Sequence, residues 1–178
     1  RAVSYNHPDY FIATLISRLF DDGVTSRLQK VLREEKGLVY SVECRTTSLP
    51  DTGTIDFDVS VRSEKVVEVA GILLDEIKKF ILTGVGEDEL ELVKQRYGYE
   101  LDYELDDPYR QIIRHGFCHV YSTEYTVEEE RKKISQITPL DILRVARGIF
   151  VSEKLNFVLV GPYSSELKTS LLQLVRNF

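Results

Sequence analysis

The chain has 178 residues with a net charge of −6 and a pI of about 5.2; 43% of the residues are hydrophobic and 29% are charged. This is the composition of a folded domain long enough to bury a core, and it excludes disordered and fibrous classes. The acidic balance argues against a general nucleic-acid-binding protein, because phosphate recognition needs a basic surface. No apolar run approaches the roughly 20 residues of a membrane span, and no signal peptide is visible. The compartment is left open, with a cytoplasmic location as the favoured expectation.

The chain contains two cysteines, Cys44 and Cys118, and no methionine. Cys44 is predicted to lie in a strand and Cys118 in a helix, and we expect two buried thiols rather than a disulfide. Even an initiator methionine is missing, and the opening RAVSYNHPDY has the pattern of a strand that runs into a helix cap. We therefore expect residues 1–178 to form a single domain that is a fragment of a longer polypeptide.

The first part of the chain is predicted to form two helices in succession. Pro8 and Asp9 open the first helix, because proline and an acid suit the unpaired amides and the dipole of a first turn. Apolar residues at helical spacing then make a broad buried stripe up to Phe20, and an Asp-Asp-Gly sequence ends the helix. Thr25 or Ser26 can cap the second helix.

The stretch LQKVLREEKGLVYSV, residues 28–42, is predicted to be a helix that ends abruptly and leads into a strand. Gly37 followed by a leucine is typical of a left-handed helix cap with a hydrophobic contact behind it. Beyond Gly37 the period is two, which places Tyr40 and Val42 on one face of the strand. A tight connection can bring Arg33, in the last helical turn, and Tyr40 onto one surface. By themselves both residues also have structural explanations, as a dipole-stabilising arginine and a packing tyrosine.

The rest of the chain indicates an α+β fold. In DTGTIDFDVSV apolar and polar residues alternate, so residues 54–61 are predicted to pair antiparallel with the preceding strand, near the centre of a sheet. The sequence LNFVLV, residues 155–160, is predicted to be a buried strand, and a last helix begins at Ser164 or Ser165. Helical spacing also recurs in five segments: 63–83, 87–105, 108–121, 126–134 and 138–150. We therefore predict a two-layer sandwich with helices on one face of a mostly antiparallel sheet.

A second group of residues that could carry chemistry is HGFCH, in the predicted helix at 108–121. His115 and His119 are four residues apart with Cys118 between them, and residues of these types can bind zinc from one helix face. Gly116 weakens the helix and no acid accompanies the motif, so core or surface histidines are the favoured interpretation. No nucleophile elbow, P-loop or dinucleotide-binding motif is present.

Taken together, these segments resemble the second-half domain of the pitrilysin-type zinc peptidases, the inverted-motif HxxEH family that includes insulin-degrading enzyme and mitochondrial processing peptidase. The matching text is HPDYFIATLISRLFDDGVTSRLQKVLREEKGLVYSV, then DTGTIDFDVSV, and finally LNFVLVGP. The likeness covers almost the whole chain in the right order, and its most specific part is SRL followed by LREEKGLVYSV. It implies an α+β half-domain of the processing-peptidase type, paired with a homologous half around a closed chamber.

The resemblance also implies site residues and a cofactor. In this family the catalytic half carries HxxEH and binds zinc, whereas the second half supplies an arginine and a tyrosine that reach the substrate; the match places them at Arg33 and Tyr40. If the two halves superpose, Thr14, Ser17 and Arg18 stand where the histidines and the glutamate stand, and these side chains cannot make a zinc site. We therefore expect zinc in the full enzyme, bound by the other half, and no metal in this chain.

The leading hypothesis is a substrate-binding, non-zinc half of a zinc-dependent metallopeptidase that cleaves peptides or unfolded segments and is inactive without its HxxEH half. The alternative is a non-catalytic structural or partner subunit of the same fold; the presence of Arg33 and Tyr40 favours the first. A third, weaker hypothesis is a free-standing metal enzyme that uses His115 and His119. The expected partners are a peptide substrate and a homologous catalytic half, on the same chain or on another subunit, and a dimer is left open.

Overall fold

A computed structural model describes residues 1–122 and 125–178. The strands are β1 (Val39–Ser48) and β2 (Gly53–Val61). The helices are α1 (Tyr10–Phe20), a π-helix (Gln29–Glu35), α2 (Val66–Thr83), α3 (Glu87–Leu105), α4 (Pro108–Tyr121), α5 (Val127–Ser135), α6 (Pro139–Ile149) and α7 (Ser165–Arg176), with short 3₁₀ turns at Ser63–Lys65 and Ser152–Lys154. None of the helices in the described ranges is long and apolar enough to cross a membrane.

Helix α1 forms the centre of the core and packs against β1, α3, α5 and α6. Its apolar stripe is buried as predicted, with Leu15, Ile16 and Phe20 almost fully removed from solvent. The ring of Phe20 lies 4.9 Å from that of Phe80 in α2 and 5.3 Å from that of Phe57 in β2. Helices thus cover one face of an antiparallel hairpin, and the predicted α+β fold is confirmed.

The β1–β2 hairpin keeps the alternation that the sequence predicts for its second strand. Cys44 pairs with Phe57, and Thr46 pairs with Ile55. The apolar side chains of β2 are half-buried against the core, and the polar side chains between them are exposed. A slip of one residue would move the apolar set to the solvent face, so this burial fixes the register of the pair.

Three of the predicted helix starts are confirmed by capping interactions, whereas Asp9 makes no side-chain cap ahead of α1 and the Ser26 hydroxyl donates to the Gly23 carbonyl instead of capping the second helix. Ahead of α4, the Asp107 carboxylate accepts hydrogen bonds from the Tyr109 amide at 2.9 Å and from the next amide along the chain. Ahead of α5, Thr126 and Glu129 form a reciprocal capping box, and Thr138 makes the same arrangement with the acid three residues further on. Each box satisfies amides that a helix start leaves unpaired.

The predicted strand at Leu155–Val160 is wrong for the described chain. The segment forms no ladder, and Val158 and Val160 are 82% and 92% exposed. A cleft of about 370 Å³ separates it from β2. Across the described residues β2 has one ladder partner, β1, so its predicted place near the centre of a sheet is also wrong. The β-forming composition of LNFVLV is real, but a strand needs a neighbouring backbone to pair with.

The N-terminal end of the chain lies at one end of this cleft. The Ala2 amide donates to the Gly53 carbonyl at 2.6 Å, an isolated antiparallel bridge to the start of β2. The Arg1 amino group lies 3.5 Å from the Lys154 carbonyl on the other side. Successive residues therefore bond to opposite neighbours, as in a strand between two others. Where the sequence predicts a strand at the start of the chain, the described residues thus form a single β-bridge, at Ala2.

Candidate functional site

Residues 29–42, called the connection below, comprise the π-helix, a sharp turn at Gly37 and the first residues of β1. Gly37 has a φ of +58°, its amide donates to the Arg33 carbonyl at 3.1 Å, and the Leu38 amide donates to the Leu32 carbonyl at 2.9 Å. The predicted left-handed glycine cap is confirmed, although the helix that it ends is wider than an α-helix.

Tyr40 occupies a β-bulge at the start of β1. Val39 pairs with Val61 and Ser41 pairs with Ser60, so Tyr40 is an extra residue without a partner across the ladder. A bulge re-aims side chains and resets the alternation. The prediction that Tyr40 shares a face with Val42 is therefore wrong: Val39 is buried at 8% exposure, and Tyr40 projects into solvent at 87% exposure.

Arg33 lies in the last turn of the π-helix and is exposed. Within residues 1–122 and 125–178, neither its guanidinium nor the Tyr40 hydroxyl makes a side-chain hydrogen bond or an ion pair that would occupy it. Both side chains thus project from one short connection whose backbone is fixed by the Gly37 turn. Neither residue lines the clefts found elsewhere in the domain, so the site is an open surface.

The residues that anchor this connection escaped the sequence analysis. Gln29, the first residue of the π-helix, donates to the Asp21 carboxylate at 3.0 Å and to the Val42 carbonyl at 2.9 Å. The other oxygen of Asp21 accepts from the Cys44 amide at 3.1 Å. From the sequence pattern, Asp21 is predicted only to help end α1. No periodic signal marks such contacts, because they join residues that are far apart in the chain.

Arg27 fixes the same region to the helical layer. Its guanidinium forms two hydrogen bonds with the Glu89 carboxylate, at 2.7 and 2.8 Å, and a third with the Gly84 carbonyl at 3.0 Å. The guanidinium carbon lies 4.8 Å from the centre of the Phe80 ring. Because its guanidinium is paired with a carboxylate through two hydrogen bonds and also lies on an aromatic ring, Arg27 has a structural role.

Thr14, Ser17 and Arg18 lie on α1 and form no metal site. The Thr14 and Ser17 hydroxyls donate to carbonyls of their own helix, at 3.1 and 2.9 Å. Arg18 pairs with Glu100 and lies over the Tyr97 ring at 4.7 Å. Burial opposes the charged form, but the hydrogen bond and charge of Glu100 outweigh it and raise the pKa of Arg18. Among the described residues no group of three His, Cys, Asp or Glu side chains could hold a metal ion.

The histidines of HGFCH do not converge on the cysteine between them. Cys118 is buried, whereas His115 and His119 are exposed. Cys44 is likewise buried, and both thiols are free, as predicted. This arrangement agrees with the favoured interpretation of surface histidines. The hypothesis of a free-standing metal enzyme is left without a group of residues, in the described part of the chain, that could bind the metal.

Comparison with known proteins gives relatives for most of the chain. It is 27% identical over 155 residues to an uncharacterized zinc protease of Mycobacterium tuberculosis, a match that covers 86% of this chain and 35% of that protein. A similar match to an uncharacterized zinc protease of Streptomyces coelicolor, also at 27% identity, covers 84% of this chain and 32% of that protein. The chain therefore spans about a third of the length of these relatives.

Solved structures share the fold. The peptidase M16 inactive domain from Pseudomonas fluorescens matches with a TM-score of 0.73 at 19% identity, over 84% of this chain and 36% of that one. The inactive peptidase domain of a protein from Bordetella parapertussis matches with a TM-score of 0.73 at 16% identity, over 92% of this chain and 89% of that one. The family model for the Peptidase M16 inactive domain matches residues 1–97, more than half of the sequence. The chain belongs to the Peptidase M16 inactive-domain family, the non-catalytic half-domain of zinc-protease-like proteins.

Proposed function

We propose that this domain is the substrate-binding, non-zinc half of a zinc-dependent metallopeptidase and acts only beside a half that carries HxxEH. The observation that carries the proposal is the connection at residues 29–42, from which Arg33 and Tyr40 project into solvent without partners in the described chain. Relatives called zinc proteases, about two and a half times as long as this chain, support it. The 178 residues would then be one domain of a longer peptidase.

Arg33 and Tyr40 have complementary roles in this proposal. A guanidinium presents several donors in a planar fork, so Arg33 holds a carbonyl oxygen of an extended peptide. The Tyr40 phenol donates a hydrogen bond to the oxyanion that develops as water adds to the scissile carbonyl. Zinc, held by the other half, would activate that water and polarise the carbonyl. Neither residue can start the reaction, so this domain contributes substrate binding and transition-state stabilisation.

The test is a pair of variants in the full-length protein. Tyr40→Phe removes a hydrogen bond made mainly in the transition state, so kcat on an unfolded peptide should fall by about 10²–10³. KM should change little, because ground-state binding is preserved. Arg33→Ala should also raise KM, since its partner is a ground-state carbonyl. Zinc content, measured by elemental analysis, should match wild type in both variants.

Two exposed residues remote from the connection give matched controls, Tyr103→Phe in α3 and Arg62→Ala after β2, and both should retain wild-type kinetics. If Tyr40→Phe and Arg33→Ala also retained full activity, the two residues would be structural and the proposed site would be wrong. If wild type itself cleaved no peptide and its longer sequence lacked HxxEH, the domain would belong to a scaffold subunit instead.

A further inference from the structure

We propose that Asp21 and Gln29 are positioning residues, a side-chain clamp that holds the connection carrying Arg33 and Tyr40 in its working geometry. This inference rests on the proposed function of that pair. Asp21 and Gln29 are both half-buried, and each makes two hydrogen bonds within the clamp. The clamp joins three separate parts of the chain: the residue that ends α1, the residue that begins the π-helix, and the middle of β1.

The clamp supplies the bonds that a neighbouring strand would otherwise make. The Val42 carbonyl accepts from Gln29, and the Cys44 amide donates to Asp21. Both strand residues are buried, so these backbone groups have no route to water. A buried backbone group without a partner is destabilising, so each of these hydrogen bonds favours one conformation of the side chain that makes it. The two side chains also bond to each other, so moving either one disturbs both contacts to β1.

The position of the clamp relates it directly to the site. Gln29 opens the same π-helix whose last turn carries Arg33, and Val42 is two residues beyond Tyr40. The single bond from Gln29 to Val42 therefore ties together the two ends of the connection. Inside this closed segment, the Gly37 turn fixes the middle. With ends and middle fixed, the backbone from which Arg33 and Tyr40 project is set before any peptide arrives, and such preorganisation lowers the cost of orienting the reacting groups.

The first test is kinetic and uses the full-length protein. Gln29→Ala frees both ends of the connection and should lower kcat roughly ten- to a hundredfold, because small misplacements of catalytic donors are costly. Gln29→Glu keeps the shape but replaces donors with acceptors facing Asp21, so it should be at least as harmful as Gln29→Ala. Asp21→Asn, which keeps the shape but loses an acceptor, provides a milder second variant. The matched control is Gln95→Ala on α3, which also removes a side-chain hydrogen bond, to Tyr99.

A double-mutant cycle then separates positioning from general stability. If Gln29 acts through Tyr40, the two effects are not additive. Gln29→Ala should then lower kcat much less in a Tyr40→Phe background than in wild type. Hydrogen exchange provides a readout that does not depend on activity: amides of residues 40–44 should exchange faster in Gln29→Ala and Asp21→Asn, while those of α3 keep wild-type rates.

The outcomes distinguish this inference from the function on which it rests. If Tyr40→Phe loses activity but Gln29→Ala and Asp21→Asn keep it, the site is real and the positioning role is wrong. Fully additive losses would also overturn the inference, because Gln29 would then act elsewhere. A third outcome is that the exchange rates of residues 40–44 rise while kcat is unchanged in every variant, including Tyr40→Phe. In that case the clamp is purely structural, and the proposed site is wrong as well.

Discussion

Gly37 carries the sharpest backbone constraint in the connection that holds the candidate site. Its φ of +58° lies in the left-handed region, where a side chain costs about 1–2 kcal/mol. A Cβ built at this position would meet no neighbouring atom, so backbone strain alone should act. We expect Gly37→Ala to lower the free energy of unfolding by about 1–2 kcal/mol in urea denaturation.

Gly71 in α2 provides the matched control, because a Cβ there also meets open space while the backbone is helical. Gly71→Ala should raise the free energy of unfolding by about 0.5–1 kcal/mol, since alanine loses less chain entropy in a helix. Equal effects of the two substitutions would mean that the left-handed turn is not needed to end the π-helix.

Cys44 is expected to be chemically inert in the folded protein. Burial, reinforced by the charge of Asp21, raises the pKa of the Cys44 thiol well above its ordinary value. Because the thiolate is the nucleophile, a raised pKa keeps the group protonated through the pH range in which an exposed cysteine ionises. At pH 8, iodoacetamide labelling followed by peptide mass spectrometry should find Cys44 slow to react in buffer and fast in urea. Rapid labelling in buffer would contradict its burial on the core-facing side of β1.

For individual residues, the sequence predicted local backbone conformation but not contacts between distant parts of the chain. Gly37 was identified as a left-handed cap because the local pattern of glycine and leucine reports a local conformation. The orientation of Tyr40 was missed, because a bulge is a property of two strands in register rather than of one strand. The roles of Asp21 and Gln29 were missed for the same reason: they bond across the fold, to Val42 and Cys44.

At the scale of elements, Glu130 links three helices. It lies in α5 with 8% exposure, accepts a hydrogen bond from the Tyr97 hydroxyl of α3, and pairs with Arg114 of α4. Burial and the neighbouring Glu130 charge raise the pKa of Tyr97 well above its usual value, which keeps that phenol a donor. The triad therefore holds α3, α4 and α5 to one another through a buried polar contact.

Truncating Glu130 should be strongly destabilising, because it would leave the Arg114 charge half-buried without its closest partner. Breaking a buried ion pair in this way costs about 3–5 kcal/mol, and we expect Glu130→Ala to lose close to the lower value. Chemical denaturation of the purified variant measures this loss. Glu128→Ala, an exposed acid of the same first turn, should change stability by only a few tenths of a kcal/mol. Similar losses in the two variants would show that the triad adds nothing beyond surface charge.

Elements whose cause is local were predicted well. The helices capped by Asp107, Thr126 and Thr138 begin within one residue of their predicted starts, and the alternation of β2 matches its burial. The strand predicted at residues 155–160 does not form. The composition of the segment favours a strand, but pairing depends on a second backbone beside it. The sequence of the segment alone does not record whether such a backbone is present.

At the scale of the whole molecule, the chain prepared alone should bind no stoichiometric zinc and hydrolyse no peptide. The reason is chemical: Thr14, Ser17 and Arg18 supply neither imidazole nor carboxylate, and the hydroxyls and guanidinium are engaged within the fold. Elemental analysis and a quenched fluorescent peptide test both points. Cleavage that stops on adding a chelator would contradict the assignment of this domain to the non-zinc half.

The two edges of the β1–β2 hairpin differ in what they can accept. Along β1 the middle of the edge is closed, because Asp21 and Gln29 occupy its amide and carbonyl. Along β2 the bridge at Ala2 marks one end of an open cleft. An incoming backbone can therefore extend this sheet past β2 and not through the middle of β1. Beyond the bridge at Ala2, β2 therefore has a free edge in the described part of the chain, whereas the edge of β1 is capped in its middle by side chains.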